Sequence, residues 1–176
     1  MSKPRVYLAG PDLFFEDREE RYARLRAACA QAGLDAVAPT DGLELHTEGP
    51  LPAAEQIYQH NLRLLRSSNA VLVNLSPFRG SEPDSGSVFE AAFAYAIGKP
   101  VVGWIGDYWH TAERSAVLRK VWHDGDGRAR DKLDGGLVED FGLPANLMLA
   151  CSFPIMPTAG EAVERLVDAV QPCVEM

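Results

Sequence analysis

Between Ser85 and Gly98 the chain carries a single acidic or basic side chain, Glu90, in an otherwise small and apolar run from Val88 to Ile97. A helix apolar nearly all round is expected to be buried nearly all round. A carboxylate near its first turn is then drawn toward a crevice, where it can act on a bound substrate. The same spacing admits a plainer reading, because Ser87-x-x-Glu90 is a capping-box pattern in which the glutamate only returns a hydrogen bond to the backbone. Asp84 lies six residues earlier, so two carboxylates in different settings converge on one helix entrance. Asp84 also has its plain reading, as a loop acid favoured beside a helix N-terminus.

Other candidates accompany this pair. Tyr7 stands in a strand-like run just before Gly10-Pro11-Asp12, and a buried tyrosine hydroxyl needs a partner. Gly10 permits a ligand to approach the backbone closely. Asn61 lies between Ile57 and Leu65 at four-residue spacing, which puts an amide on the apolar stripe of a helix. It serves either a ligand or an inter-helix or loop-backbone bond. Asn146 follows Pro144 and reads equally as a turn residue. Several familiar constellations are missing: there is no G-x-G-x-x-G, no P-loop and no G-x-S-x-G elbow. Asp124-Gly-Asp126-Gly-Arg128 begins like a calcium loop, but Arg128 and Ala129 stand where a ligand and the turn glycine belong. The four histidines are scattered and form no metal signature.

Alternating elements must position these groups. Arg5–Ala9 reads as a buried strand, followed by a helix from about Glu16 to Ala32, which Gly33 ends. Leu34–Ala38 is a short second strand, and 39–50 reads as loop. Pro52 suits the first turn of a helix running to about Arg66. Ala70–Leu75 is apolar on both faces, the mark of a central parallel strand. A Pro/Gly/Ser-rich loop, 76–86, leads into the Glu90 helix, and Pro100–Ile105 makes a fourth strand. The stretch 106–144 carries no clear periodicity, Leu147–Ala150 is expected as a fifth strand, and Thr158-x-x-Glu161 opens a last helix. Helices between β-runs imply a parallel sheet covered on both faces, with ligands outside the carboxyl ends of its strands. That rule selects Gly10-Pro11-Asp12, the 76–86 loop and the residues after Ile105.

The chain has 176 residues, of a length for one domain spanning 1–176, and its 17 Lys+Arg against 25 Asp+Glu give a formal charge of −8. Its basic residues sit mostly among acidic ones, as in Glu16–Arg21, which argues against a nucleic-acid polymer as partner. No apolar run is long enough to suggest a membrane span. Met1–Arg5 leads straight into a strand-like run with no signal-peptide pattern, and Cys29, Cys151 and Cys173 are an odd, scattered set. Both features fit a reducing cytoplasm.

Taken together, Tyr7-Leu-Ala-Gly10-Pro11-Asp12-Leu-Phe14, the block from Asn74 through Pro77-Phe78-Arg79-Gly80 and Asp84-Ser-Gly86 to Phe89-Glu90, then Gly98-Lys-Pro-Val and Val138–Leu149 resemble the nucleoside 2-deoxyribosyltransferase family. The resemblance spans Tyr7 to about Ser152. It implies an α/β, doubly wound, flavodoxin-like sheet of about five parallel strands with helices on both faces. It also implies exchange of the base on a 2′-deoxyribonucleoside, with free nucleobases and deoxyribonucleosides as partners and no cofactor or metal. By resemblance Glu90 is the nucleophile, Tyr7 holds it, Asp84 contacts the sugar hydroxyls and Asn61 faces the base. Gly10, Pro11, Asp12, Phe14, Arg79 and Gly86 are expected to line the substrate site. Asn146 and Met148 would complete the site of a neighbouring subunit in a homo-oligomer. The 106–145 stretch then fits a lid or an oligomer contact. Two further readings stand beside this one: a 2′-deoxynucleoside 5′-monophosphate N-glycosidase using the same glutamate, with Arg79 near the phosphate, and a non-catalytic nucleotide-binding module in which Glu90 is merely a cap.

Overall fold

The computed structural model describes residues 2–46, 52–106 and 110–170. Parts of the expected 39–50 loop and of the unassigned 106–144 stretch, and Cys173, fall outside these ranges.

Five strands, β1 (Arg5–Ala9), β2 (Asp35–Val37), β3 (Ala70–Asn74), β4 (Val101–Trp104) and β7 (Ile155–Met156), form one parallel sheet in the order β2-β1-β3-β4-β7. This is the doubly wound order in which the strand sequence reverses between β1 and β3. Two-residue alternation sends neighbouring side chains of each strand to opposite faces. Val6, Leu8 and Leu72 pack with Tyr22, Leu25 and Cys29 of α1 (Arg18–Gln31) and with Ala162, Val163 and Leu166 of α6 (Ala159–Val170). Tyr7, Ala9, Val71 and Val73 pack on the other side with Leu65 of α2 (Ala53–Ser67) and with Ala91 and Ala94 of α3 (Ser85–Ala96). All five residues of β3 are buried, as expected for the central strand. Among the described residues no helix is long and apolar enough to cross a membrane.

Three expectations need correction. Leu147–Ala150 is a helical turn, α5, because the Asn146 side-chain Oδ1 accepts from the Met148 amide and caps it. The fifth strand comes later, at Ile155–Met156. A four-residue apolar run has no periodicity to separate strand from helix, so local capping decided it. The first helix begins at Arg18, after a separate 3-10 turn over Pro11–Phe14. Finally, α3 is buried only toward the sheet: Phe89, Tyr95 and Ile97 are about half exposed. Of these, Phe89 meets Tyr58 of α2, the two ring centres lying 6.3 Å apart.

Within the unassigned stretch, α4 (Thr111–Arg119) is followed by an antiparallel hairpin, β5 (Val121–His123) and β6 (Ala129–Asp131). The calcium-like loop is the turn of that hairpin. The Asp124 carboxylate is occupied by Arg128 and Arg130 and by the backbone amides of Asp126 and Arg128, and the Arg130 hydrogen bond holds it well below its ordinary range. At the last helix, Thr158 and Glu161 exchange hydrogen bonds as the capping box requires.

Candidate active site

The sheet's winding brings β1, α2 and α3 together at one place. Tyr7 is fully buried, and its hydroxyl donates to Glu90 Oε1 at 2.6 Å across 83 residues of sequence. Asn61 Nδ2 donates to the same oxygen at 3.4 Å. Among the described residues Glu90 Oε2 carries no hydrogen bond, so one oxygen is fixed and the other is left with its lone pairs uncommitted. The Asn61 carbonyl oxygen is buried and also has no protein partner among the described residues.

The electrostatics follow from this geometry. Burial pushes the Glu90 carboxyl up to about 7; the Tyr7 hydrogen bond opposes the rise, the charge of Asp84 adds to it, and the Asn61 amide opposes it further. Burial, reinforced by the Glu90 charge, raises Tyr7 far above its ordinary value, so it remains a donor. Glu90 is thereby divided between its ionised and protonated forms near neutrality.

The capping reading of Glu90 does not hold. Asp84 occupies the N-cap of α3, its Oδ2 accepting from the Ser87 amide at 2.9 Å and the Ser87 hydroxyl at 2.8 Å. Ser87 therefore sits inside the first turn and cannot begin a capping box. Asp84 fulfils its plain structural role, and among the described residues its Oδ1 carries no hydrogen bond.

Gly10 joins the end of β1 to the turn over Pro11–Phe14. Its φ of +157° is rare for other residues, and a Cβ there would lie 2.8 Å from both Asn74 Cβ and Asp12 Oδ2. Pro11 is buried. Asp12, expected at the substrate, is instead directed inward: it is 5% exposed, accepts from Asn74 Nδ2 at 2.9 Å and pairs with Arg21. Its carboxylate fixes the turn that follows β1. Phe14 stacks on Phe78 with ring centres 5.3 Å apart, and the Arg79 guanidinium lies over both rings. Arg79 adopts a left-handed φ of 54°, held within the turn that Phe78 closes by donating its amide to Glu82. Gly86 lies exposed in the first turn of α3, its missing Cβ 3.1 Å from Asp84 Oδ2.

Asn146 and Met148 occupy another flank. Asn146 caps α5 and donates from Nδ2 to Glu139, while Met148 is 69% exposed. Both line an apolar groove of about 560 Å³ with Val88, Ala92 and Tyr95 of α3. Glu90 follows Val88 by two residues, about 200° round the helix, so this groove and the nucleophile candidate lie on opposite flanks of α3. Two polar residues escaped sequence reasoning. Asn74 links the ends of β1 and β3 through Asp12 and the Ser76 amide, and Tyr22 buries a hydroxyl with no protein partner among the described residues. Asn74 carried a signal, being the polar end of an otherwise apolar strand; Tyr22 carried none beyond its helical face.

Similar proteins agree with this architecture. A 2-deoxyribosyltransferase from Leishmania mexicana superimposes with a TM-score of 0.74 at 29% identity, covering 94% of this chain and 97% of that one. A conserved protein from Enterococcus faecalis V583 shares the fold, with a TM-score of 0.63, 16% identity and coverage of 95% and 99%. An uncharacterized protein of Schizosaccharomyces pombe is 31% identical over 158 residues, 82% of this chain and 74% of its own length. The nucleoside 2-deoxyribosyltransferase family model matches residues 6–148, and the chain belongs to that family.

Proposed function

We propose that this protein exchanges the nucleobase of 2′-deoxyribonucleosides by a double displacement through a deoxyribosyl ester of Glu90. The observation that carries this reading is the single carboxylate held at one oxygen by Tyr7 and Asn61. The free Oε2 lone pair forms a bond to the anomeric carbon while the carbon–nitrogen bond breaks, its electron pair leaving with the base, which takes up a proton. A nitrogen of a second base then attacks the same carbon and gives up its proton, while the ester C–O bond breaks and its electron pair returns to the Glu90 carboxylate. Two inversions restore the starting configuration. The transition state is oxocarbenium-like, so the anion beneath the sugar also stabilises the developing positive charge.

Each neighbour has a part in this proposal. Tyr7 favours the ionised nucleophile. Asp84 Oδ1 accepts from a sugar hydroxyl, and the Asn61 carbonyl oxygen accepts from an N–H of the base. The backbone at Gly10 and Pro11 closes over the sugar, Gly86 keeps the entrance of α3 open, and Phe14 with Arg79 forms the rim. The protein acts as a homo-oligomer in which Asn146 and Met148 complete the site of a neighbour. The apolar groove lined by the exposed Tyr95 and Met148 supports that association, since apolar surface of this kind favours a partner. Excluding water from the ester keeps the reaction a transfer rather than a hydrolysis.

The test is to incubate the folded protein with deoxyinosine and adenine and to follow deoxyadenosine and hypoxanthine by chromatography. Both products should appear, and neither should form with Glu90→Ala. Base release from a deoxynucleoside 5′-monophosphate, with no transfer to an acceptor, would replace this reading with the N-glycosidase. Failure of every donor and acceptor pair would overturn both. Sedimentation at micromolar concentration should give a multiple of the chain mass; a monomer would remove the shared-site part of the proposal.

A further inference from the structure

Arg114 of α4 is the largest fully buried side chain among the described residues, at 1% exposed, although nothing in its sequence context marks it. Its Nε donates to the Ser81 carbonyl at 3.0 Å and its Nη1 to the Pro144 carbonyl at 2.9 Å. The same helix holds the second segment at its first residue, where Thr111 donates both amide and hydroxyl to the Leu143 carbonyl. Ser81 lies three residues before Asp84, and Pro144 lies two residues before Asn146. Ser81 and Ala145 are themselves buried.

Placing a guanidinium out of water is costly unless its donors are matched, and a well-packed apolar residue generally serves stability as well or better. The planar fork can hold two acceptors in divergent, fixed directions, which a lysine ammonium on a flexible stem cannot. A buried arginine on two backbone carbonyls therefore fixes the spacing between two loops.

We propose that Arg114 is a positioning residue that sets the Asp84-bearing loop and the Asn146–Met148 segment relative to each other, and so couples the chain's own sugar site to the surface it presents to a neighbour. This rests on the proposed function for the roles of Asp84 and Asn146, whereas the coupling of the two segments stands on the hydrogen bonds alone. Displacing a substrate-positioning group by an ångström is enough to cost on the order of 100-fold.

The test uses the full-length protein with Arg114→Lys, and with Arg114→Met should the lysine variant fail to fold. Hydrogen exchange followed by mass spectrometry should show peptides covering 78–86 and 143–149 losing protection together, while β1 and β3 keep theirs. In base exchange, KM for deoxyinosine should rise by about 10-fold or more, while kcat falls by less, because the Tyr7–Glu90 contact is kept. Exchange rising in α4 alone, or KM unchanged beside a simple loss of active protein, would overturn the proposal. Joint loss of protection in a protein without any transferase activity would uphold the coupling and overturn the function instead, so the two failures are distinguishable.

Discussion

Replacing Tyr7 by Phe keeps the ring in its packed place and removes only the hydroxyl that donates to Glu90 Oε1 at 2.6 Å. A hydrogen bond to a charged group in such a setting stabilises the ion by about 1.5–3 kcal/mol. A tenfold change in proton affinity corresponds to about 1.4 kcal/mol, so the Glu90 midpoint should climb from about 7 to between about 8 and 9. At pH 6 the ionised fraction then falls from roughly one-tenth to between roughly one-hundredth and one-thousandth. The assay is the initial rate of deoxyadenosine formation from deoxyinosine and adenine across the range from about pH 5 to about pH 10. Its acidic limb should move up by that amount, with much of the lost rate recovered at alkaline pH. A limb that stays near pH 7 in Tyr7→Phe, with a uniform fall in rate, would refute the idea that Tyr7 acts by holding the anion.

Three other substitutions test the same site from different sides. Glu90 has its folded value raised from 4.5 to about 7, so the native state retains a proton that the unfolded chain gives up and stability declines as pH rises through that window. Glu90→Gln should abolish transfer, flatten this decline in urea unfolding, and exceed the wild type above pH 7 by up to about 3 kcal/mol, with no gain below pH 4.5; an unchanged pH dependence would show that Glu90 is not desolvated. Asn61→Asp replaces a donor to Glu90 with a second carboxylate, so the acidic limb should again shift upward and activity at pH 6 should fall; a downward shift would contradict the arrangement. Gly10→Ala forces a Cβ to within 2.8 Å of Asn74 Cβ at φ +157°, and should cost roughly 2 kcal/mol or more in chemical denaturation while lowering transfer.

The sheet was legible because its strands are apolar on both faces and its helices carry stripes, so periodicity alone locates β1, β2, β3 and β4. The alternation of Glu90 between cap and nucleophile was not resolvable from spacing: Ser87-x-x-Glu90 and Asp84-x-x-Ser87 are both capping patterns, and only the backbone shows which residue begins the helix. Leu147–Ala150 misled for a related reason, since four apolar residues fit a strand or a turn of helix and the deciding hydrogen bond belongs to Asn146. The inward turn of Asp12 to Asn74 was not legible either, because a motif next to a crevice does not reveal which way one side chain points. Arg114 was invisible because the groups it binds at Ser81 and Pro144 are backbone carbonyls, which leave no trace in residue types. The convergence of Tyr7, Asn61 and Glu90 came from the family resemblance; single-sequence periodicity places each on its element but cannot bring three elements together.

The alternation of side chains along β1 divides responsibilities within the molecule. Tyr7 faces α2 and α3, while its immediate neighbours Val6 and Leu8 face α1 and α6. One side of the sheet therefore holds the Glu90 carboxylate with its Tyr7 contact, and the other holds the core built with α1 and α6. Apolar substitutions in α1 and α6 should leave the Tyr7–Glu90 contact in place, whereas Tyr22 of α1 is a different case, because the Glu90 charge acts on its buried hydroxyl. The α2–α3 side has less freedom, because it carries Glu90 and Asn61 and packs against Tyr7, whose hydroxyl holds the carboxylate.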